Sequence, residues 1–204
     1  MSTSSPTGTS FSLWLIVPVK PFGEGKSRLA AVLSSAERAE FSRRWLTHVL
    51  ATARNWARLA GMVVISRDPT VLALASAWGA LPLVEEHEDL NSALAQARQV
   101  ALEAGAEGVL VLPSDLPLLT RQDLVELHDL ALEGNGVIIA PSHDGGTNAL
   151  LLRPPHAIPY AFGEKSFARH HALAADGGLP SRIYNSSTLA LDIDYPEDLL
   201  VLDR

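Results

Sequence analysis

The alternation of short apolar runs with amphipathic segments is the feature that most constrains the fold of this chain. The runs are rich in Val, Ile and Leu, which is typical of strands buried on both faces of a sheet. Because a helical pattern separates each run from the next, the strands are expected to be parallel and joined by right-handed crossovers. The predicted strands are 13–17, 62–66, 81–84, 109–112 and 137–140, and the predicted helices between them are 34–60, 70–78, 91–104 and 124–132.

The pattern changes after the fifth predicted strand. A turn-rich loop at 141–148 leads directly into another apolar run at 149–152, and two strands joined only by a loop are typically antiparallel. A helix ending near residue 175, a last strand at 187–193 and a short final helix complete the expected order. The sequence therefore predicts a three-layer, Rossmann-like α/β fold with a mostly parallel central sheet, one antiparallel strand and helices on both faces.

Length and composition favour a single domain that acts on small molecules. The 204 residues suffice for one well-cored domain, predicted at 11–204 after a flexible N-terminus at 1–10. The formal net charge of -7 argues against nucleic acid or an anionic membrane as the main partner. The absence of cysteine excludes thiolate catalysis and Cys-type zinc sites. The apolar run at 11–19 lacks a basic flank and is too short to cross a bilayer, which predicts a cytoplasmic protein.

A single carboxylate, Asp115, follows the predicted strand at 109–112. Pro113 and Pro117 flank it, and because proline cannot donate to a strand ladder, the strand must end there in a rigid loop. Thr120, with an acid three residues later, indicates the start of the next helix. Open α/β sheets bind ligands at the carboxyl ends of their parallel strands. Asp115 is therefore either a ligand-binding residue or a turn stabiliser, and this stretch favours the two equally.

A basic loop follows the first predicted strand and contains Lys20, Lys26 and Arg28. Gly23 and Gly25 let the backbone between them approach a ligand closely. A Gly-Lys-Ser sequence begins at Gly25, as at the end of a Walker A motif, but that motif needs another glycine five residues earlier, where Lys20 stands. The pattern therefore favours a binding loop for a polyphosphate over a P-loop or a solvated run of charges.

Three other polar segments have less specific patterns. The acidic run at 85–89 is interpreted as a solvated turn. Asn91 and Ser92 open a helix, where they either cap it or face a ligand together with its free N–H groups. Gly163 and Ser166 precede a later helix and form either an anion cradle or a plain cap.

Several large side chains are predicted to be structural. Trp45 and Trp56 recur on one face of the first helix, which indicates core packing rather than stacking on a base. His170 and His171 are adjacent, so on a helix they project in different directions and cannot form one metal site. Both histidines are interpreted as structural.

Asp192 and Asp194 lie at the end of the predicted last strand. Side chains alternate along a strand, so we expect these carboxylates on opposite faces, with only one able to share a site with Asp115. Mg²⁺ typically takes one or two protein carboxylates and completes its shell with phosphate oxygens and water. Two carboxylates at one sheet edge beside a Lys/Arg loop therefore suggest Mg²⁺ with a nucleoside triphosphate.

The chain resembles the phospholactate guanylyltransferase family in six stretches that occur in the same order over 13–202. They are PVKPFGEGKSRL, LNSAL, PSDLPLLT, APSHDGGTNALLLRP, FGEKSF and LALDIDYPEDL. GGTNALLLRP with FGEKSF is the more specific combination, since ends of the DIDxPEDL type are shared by many sugar-nucleotide and cytidylyl transferases. The family belongs to the molybdenum-cofactor-guanylyltransferase-like nucleotidyltransferases and serves biosynthesis of the deazaflavin coenzyme F-420.

The resemblance implies a nucleotide-diphospho-sugar-transferase-like fold and a defined reaction. GTP would react with a small phosphorylated acid to give a GMP-linked product and pyrophosphate. The candidate acids are phosphoenolpyruvate, 2-phospho-L-lactate and 3-phosphoglycerate. Because the attacking phosphate oxygen is already anionic at neutral pH, no general base is required, and the demands are positioning and charge neutralisation.

The resemblance also implies roles for individual residues. Lys20, Lys26 and Asp115 would be catalytic, and Thr147, Gly163 and Ser166 would bind the phospho-acid. Asp115 together with Asp194 or Asp192 would bind Mg²⁺. Tyr195 stands where ends of the DIDxPEDL type more often have Thr, and this departure leaves the choice between Asp192 and Asp194 open. The nucleotide would contact residues in three segments of the chain. These residues are Pro18, Lys20, Lys26, Arg28, Leu90, Asn91 and Ser114.

Two other classes of function are compatible with the same sequence. A molybdopterin or sugar-phosphate nucleotidyltransferase would use the nucleotide site with a different acceptor. A non-catalytic, nucleotide-binding regulatory module would share the fold but could lose the second carboxylate, whose presence favours the enzyme. A homo-oligomer, and transfer of the labile product to the next pathway enzyme, are further expectations.

Overall fold

The computed structural model describes residues 11–201, which are built around one seven-stranded sheet. The flexible N-terminus predicted at 1–10 lies outside the described residues, as do 202–204. The strands are β1 (Leu13–Pro18), β2 (Leu59–Ser66), β3 (Leu81–Val84), β4 (Gly108–Val111), β5 (Gly136–Pro141), β6 (Thr147–Arg153) and β7 (Ser181–Ile183). The helices are α1 (Ser35–Arg54), α2 (Pro69–Ala77), α3 (Leu90–Glu103), α4 (Arg121–Leu132) and α5 (Ser166–Asp176), with short 3₁₀ segments at Ser27–Ala31 and Pro196–Val201.

The sheet has the strand order β3-β2-β1-β4-β6-β5-β7. β6 is antiparallel to both of its neighbours, β4 and β5, and the other neighbouring strands are parallel. The chain turns directly from β5 into β6 without a helix, so β6 must return in the opposite direction. The predicted mostly parallel sheet with one antiparallel strand is confirmed.

Helices cover both faces of the sheet, as predicted. Buried residues of α1, α2 and α4 pack on one face together with Trp56, which is 3% exposed. Trp45, which is 5% exposed, packs in a separate small cluster with Leu29 and Ile193. Buried residues of α3 and α5 pack on the other face, mostly through alanines such as Ala97 and Ala174. Within residues 11–201, none of the helices combines the length and apolar character needed to cross a membrane.

The prediction of a strand at 187–193 is wrong, because in the described chain this segment pairs with no strand. β7 forms earlier, at Ser181–Ile183, and occupies the sheet edge next to β5. The alternating apolar residues of the segment 187–193 are buried without hydrogen bonds to a neighbouring strand, and Leu189 and Ile193 are both 0% exposed. The alternation therefore reflects burial against loops and helices rather than strand pairing.

The first helix begins where the sequence predicted and ends earlier. Ser34 and Glu37 form a capping box at its start. The helix ends at Arg54 rather than at residue 60, because the chain must turn at Trp56 to begin β2 at Leu59. The apolar residues after the helix continue its periodicity but belong to a turn and a strand.

Asp123 ties the segment after β7 to the start of α4. Its carboxylate accepts hydrogen bonds from Thr120 Oγ1 and Ser186 Oγ, both at 2.6 Å, from Thr188 Oγ1 at 2.8 Å and from the Tyr184 hydroxyl at 3.0 Å. Burial raises the pKa of Asp123, but the hydrogen bonds from Ser186 and Thr120 together lower it below its ordinary value. This clamp fixes the chain immediately before the acidic segment that enters the site described below.

We expect Asp123→Asn to lower the free energy of unfolding by about 2–4 kcal/mol, because several half-buried donors lose a charged acceptor. Since the pKa is depressed, the charge contributes fully above the ordinary value of 3.8, and its contribution disappears as the pH falls through the lowered value. Urea unfolding at pH 7 measures the effect. Asp129→Asn is the matched control, because Asp129 pairs with Arg58 at the surface, and an equal loss in both variants would contradict the clamp.

Candidate active site

The carboxyl ends of β3, β2, β1 and β4 lie side by side, and the loops that follow them enclose a pocket of about 310 Å³. This is the edge at which an open parallel sheet binds ligands. Six of the residues assigned to nucleotide binding or catalysis form part of its wall, namely Pro18, Lys20, Lys26, Leu90, Ser114 and Asp115. The structure therefore brings these six residues together around one pocket.

Three carboxylates converge beside this pocket, and two of them, Asp115 and Asp194, belong to its wall. Asp115, Asp192 and Asp194 each place one oxygen so that all three atoms lie within 4.8 Å of one another, and all three residues are half-buried. The expectation that only one of Asp192 and Asp194 could face Asp115 is wrong. Side chains alternate between faces only along an extended strand, and the segment carrying these two residues is not a strand.

Asn148 and Asp198 hold the two later carboxylates in place. Asn148 is buried on β6 and donates from Nδ2 to Asp192 Oδ1 at 3.1 Å and to the Leu189 carbonyl at 2.8 Å. The Asp198 carboxylate accepts the backbone N–H of Asp194 at 2.9 Å. Burial, followed by the charge of Asp115, raises the pKa of Asp192 above its ordinary value. Asp192 therefore lacks full compensation for its negative charge.

Lys26 brings a buried positive charge to the carboxylates. Its backbone is left-handed, with φ 58°, at the start of a 3₁₀ segment, and its side chain is only 10% exposed. The ammonium contacts Asp115 and lies 3.1 Å from Asp194 Oδ1, while the ring of Trp45 is 5.8 Å from it. Burial by itself would lower the pKa of Lys26, but the charges of Asp115 and Asp194 outweigh it and raise the pKa above its ordinary value.

Arg28 and Lys20 extend the positive charge around this end of the pocket. Arg28 donates to Asp194 Oδ2 at 2.8 Å and stacks on the ring of Tyr195 at 4.9 Å. Arg28 is outside the pocket wall, so it acts on Asp194 rather than facing the cavity. Lys20 is exposed and lines the pocket, where it is free to meet an anionic ligand.

The donor set at the carboxylates fits a divalent cation. Mg²⁺ prefers oxygen ligands, takes one or two protein carboxylates and completes its shell with water and phosphate oxygens. The Lys26 ammonium already lies among the oxygens of Asp115 and Asp194, so this position accepts positive charge. The raised pKa of Asp192 marks a carboxylate that a further cation would stabilise. Asp115, Asp192 and Asp194 are therefore the residues that would hold the ion.

Asn91, assigned to the nucleotide, lies outside the pocket wall. Its side-chain amide accepts the Phe162 N–H at 2.8 Å and donates to the Phe162 carbonyl at 3.2 Å. The cap of α3 is Asp89, which accepts the N–H groups of Asn91 and Ser92. Asn91 therefore joins the start of α3 to the segment that leads to Gly163.

The three residues assigned to the phospho-acid lie close to one another near the start of α5 and are not part of the pocket wall. Ser166 Oγ donates to Thr147 Oγ1 at 3.1 Å, and Thr147 Oγ1 lies 3.1 Å from His170 Nδ1. Gly163 has φ +121° and its carbonyl accepts the Ser166 N–H. The helix cap is Lys165 rather than Ser166, whose hydroxyl makes no capping bond. Thr147 directly precedes Asn148 on β6, and Asn148 donates to Asp192.

His170 orients this hydroxyl pair. Its Nε2 accepts the backbone N–H of Ala161 at 3.0 Å, so in the neutral ring the proton is on Nδ1 and points to Thr147 Oγ1. Burial lowers the pKa of His170 to about 4, which keeps the ring neutral near pH 7. Thr147 Oγ1 then accepts from both His170 and Ser166, and its own hydroxyl proton remains available for a ligand. His170 is fully buried, as expected for a histidine that packs within the fold rather than binding a metal.

Glu85 and Arg67 are among the pocket residues that the sequence analysis missed. Glu85 was interpreted as part of a solvated turn, yet its side chain is only 13% exposed and lines the pocket with Arg67. Each directly follows a strand, Arg67 after β2 and Glu85 after β3. Their position at the carboxyl ends of parallel strands was the available signal, and the density of acids around Glu85 obscured it.

Comparison with known proteins agrees with this geometry. The model of a family described as guanylyl transferase CofC like matches residues 13–202. The phosphoenolpyruvate guanylyltransferase of Rubrobacter xylanophilus is 42% identical over 94% of this chain and 94% of its own. The 2-phospho-L-lactate guanylyltransferase of Methanothermobacter thermautotrophicus is 40% identical over 90% of this chain and 81% of its own.

A solved structure supports the fold assignment. The chain superposes with a TM-score of 0.76 and 20% identity on a Desulfovibrio desulfuricans G20 protein provisionally described as a nucleotide-diphospho-sugar transferase, covering 94% of this chain and 86% of that one. The predicted nucleotide-diphospho-sugar-transferase-like fold is thereby confirmed. Together with the family model and the curated relatives, it shows that this chain is a nucleotidyltransferase and belongs to the CofC-like guanylyl transferase family.

Proposed function

We propose that the protein transfers GMP from GTP to the phosphate of a small phospho-acid and releases pyrophosphate, as a step in coenzyme F-420 biosynthesis. Phosphoenolpyruvate is the first candidate acid because it is the substrate named for the Rubrobacter relative, and 2-phospho-L-lactate and 3-phosphoglycerate are the others. The observation that carries the proposal is the convergence of three carboxylates with Lys26 at the pocket formed by the carboxyl ends of the parallel strands.

The bond changes in this reaction are simple. A phosphate oxygen of the acid attacks the α-phosphorus of GTP and forms a new P–O bond. The bond from the α-phosphorus to the oxygen that bridges to the β-phosphate breaks, and pyrophosphate leaves with that electron pair. The nucleophile is already an anion, so the chain needs to align two polyanions and offset their charge rather than remove a proton.

The residues of the site divide these tasks. Lys20 faces the pocket and would neutralise the triphosphate, and Lys26 would stabilise the charge that grows on the reacting phosphates. Mg²⁺ held by the three carboxylates would supply further charge neutralisation for the phosphate oxygens. The free proton of Thr147, oriented by His170, would donate to the phospho-acid. Aligning the two substrates and offsetting their charge do not require a residue that takes up or releases a proton.

A panel of substrates tests the proposal. Each of the three phospho-acids is combined with GTP, ATP, CTP and UTP in the presence of Mg²⁺, and pyrophosphate release is followed continuously. ³¹P NMR then identifies the product by the two coupled resonances of a new phosphoanhydride. We expect GTP with one of the acids to give the highest kcat/KM. Release that requires a sugar phosphate or a pterin phosphate instead would contradict the proposal.

Ser166→Ala is expected to raise the KM for the phospho-acid about 10- to 100-fold and to leave the KM for GTP nearly unchanged. The substitution removes the hydroxyl assigned to the anionic phospho-acid, together with its bond to Thr147, and one hydrogen bond to a charged group is worth about 1.5–3 kcal/mol. Initial rates at varied concentrations of each substrate measure both values. A melting curve is the control, and a selective rise in the KM for GTP would contradict the assignment.

The expected partners follow from the reaction. GTP and a phospho-acid are the small-molecule substrates, and we propose a cytoplasmic location because both are cytoplasmic metabolites. The phosphoanhydride product is labile, so direct transfer to the next pathway enzyme stays a prediction, as does a homo-oligomer.

A further inference from the structure

The pocket continues away from the three carboxylates along the sheet edge to the ends of β2 and β3. In the strand order, three spacings separate β4 from β3, or about 14 Å at about 4.8 Å per strand. With the triphosphate at Lys20 and Lys26, this far end is the part of the pocket left for the nucleoside. Ile65, Leu90 and Ala93 provide apolar wall there, which suits the flat faces of a base.

Glu85 is the more buried of the two carboxylates that line this far end, the other being Glu88. The backbone N–H of Glu85 donates to the Ser66 carbonyl at 3.1 Å, which fixes the residue to the end of β2. Its side chain is 13% exposed, and Oε2 lies 3.4 Å from Arg67 Nε. A carboxylate has about four positions for accepting hydrogen bonds. The ion pair with Arg67 therefore leaves most of them available to a ligand in the pocket.

Arg67 lies between two acids at the pocket wall. Besides Glu85, its guanidinium reaches Glu24 Oε2 at 3.5 Å from Nη2, and its side chain is 43% exposed. Guanidinium has five N–H donors, so two ion pairs do not exhaust them. The pair Arg67–Glu85 thus presents donors and acceptors side by side to the same cavity.

We propose that the Arg67–Glu85 pair reads the guanine base, an inference that rests on the proposed function. Guanine presents its N1–H and its exocyclic amine as adjacent donors, with the O6 acceptor beside them. Glu85 would accept from both donors, and Arg67 would donate to O6, a pairing that arginine commonly makes with guanine. Adenine has an acceptor at N1 and no O6. The lone pair on its N1 would therefore face the lone pairs of the Glu85 carboxylate, and no hydrogen bond could form there.

Glu85→Gln tests the proposal in two ways, because it should weaken the binding of GTP and favour the binding of xanthosine triphosphate. In the variant, the amide oxygen still accepts the N1–H of a purine, while the amide N–H faces the neighbouring position and can only donate. Xanthosine triphosphate has a carbonyl oxygen there in place of the guanine amine. We expect the affinity for GTP to fall about 10- to 100-fold and the preference to shift towards xanthosine triphosphate. A merely structural role for Glu85 would produce no such shift.

The experiment measures binding and turnover separately on the full chain. Calorimetric titration with GTP, ITP and xanthosine triphosphate in the presence of Mg²⁺ gives the base preference, and pyrophosphate release with phosphoenolpyruvate gives turnover. Glu86→Gln is the matched control, because Glu86 is exposed and contacts its surroundings through its backbone N–H. It should behave as the wild type, and ITP, which lacks the amine, should bind the wild type about 10- to 100-fold more weakly than GTP.

Each outcome bears on the proposal. A Glu85→Gln variant that melts like the wild type and keeps the wild-type preference for GTP over xanthosine triphosphate would overturn it. A shift produced by Glu88→Gln instead, the other acid of this wall, would also overturn it. If the expected shift in binding occurs but no phospho-acid supports pyrophosphate release, the base assignment stands and the proposed reaction fails.

Discussion

Removal of divalent metal with excess EDTA in metal-free buffer is expected to reduce pyrophosphate release by at least about 10³-fold, and Mg²⁺ is expected to restore it. The physical reason is charge. Three half-buried carboxylate oxygens lie within 4.8 Å of one another, and a triphosphate would add further negative charge beside them. Lys26 and Arg28 offset part of this charge, but the raised pKa of Asp192 shows that compensation is incomplete.

Binding of the ion can be measured without turnover. Mn²⁺ titrated into the protein loses its free-ion electron paramagnetic resonance signal when bound, and this signal reports occupancy of the carboxylate site directly. A melting curve in EDTA serves as the control, because loss of the fold would imitate loss of activity. Release of pyrophosphate at an undiminished rate in EDTA would show that Lys26, Arg28 and Lys20 suffice to neutralise the phosphates.

Asp115→Asn is expected to lower kcat by about 10³-fold while the fold persists. The two side chains are nearly isosteric, so the loop between Pro113 and Pro117 should keep its path. The change removes one of the three charges that would hold the metal and one of the two carboxylates that contact Lys26. Affinity for Mn²⁺ should fall together with kcat, which ties the loss of rate to the ion.

Asp129→Asn is the matched control for this substitution. Asp129 is half-exposed on α4, where it pairs with Arg58 at 2.9 Å, outside the wall of the pocket. Its replacement should change neither kcat nor Mn²⁺ affinity. If Asp115→Asn retained a rate near that of the wild type, Asp115 would be a turn residue, which is the alternative that the sequence left open.

Local patterns predicted most of the framework, because the interactions that form it are local. Capping boxes lie within one helical turn, and such boxes are present at the starts of α1 and α4. Buried parallel strands need continuous apolar runs, which made β1, β4 and β5 recognisable. Because the chain turns directly from β5 into β6, β6 runs antiparallel to β5, as the loop in the sequence predicted.

The same local patterns failed where a segment's environment was set by distant residues. The alternation at 187–193 is that of a strand, but β7 had already occupied the sheet edge and Asp123 holds the chain just before this segment. Consequently Asp192 and Asp194 reach the same site, which no argument from strand periodicity could give. Glu85 was likewise misjudged, because its burial depends on the Arg67 side chain and the neighbouring strand end.

The sequence by itself determined the α/β class, the sheet edge that binds ligands, and the residue types available there. Strand order along that edge was decided by the tertiary structure, and with it the grouping of side chains from β2, β3, β4 and the final segment around one pocket. The physical reason is that hydrophobic periodicity and caps depend on neighbours in the chain, whereas hydrogen bonds such as that from Asn148 to Asp192 join residues far apart in it. Contacts of that kind exist only once the chain has folded.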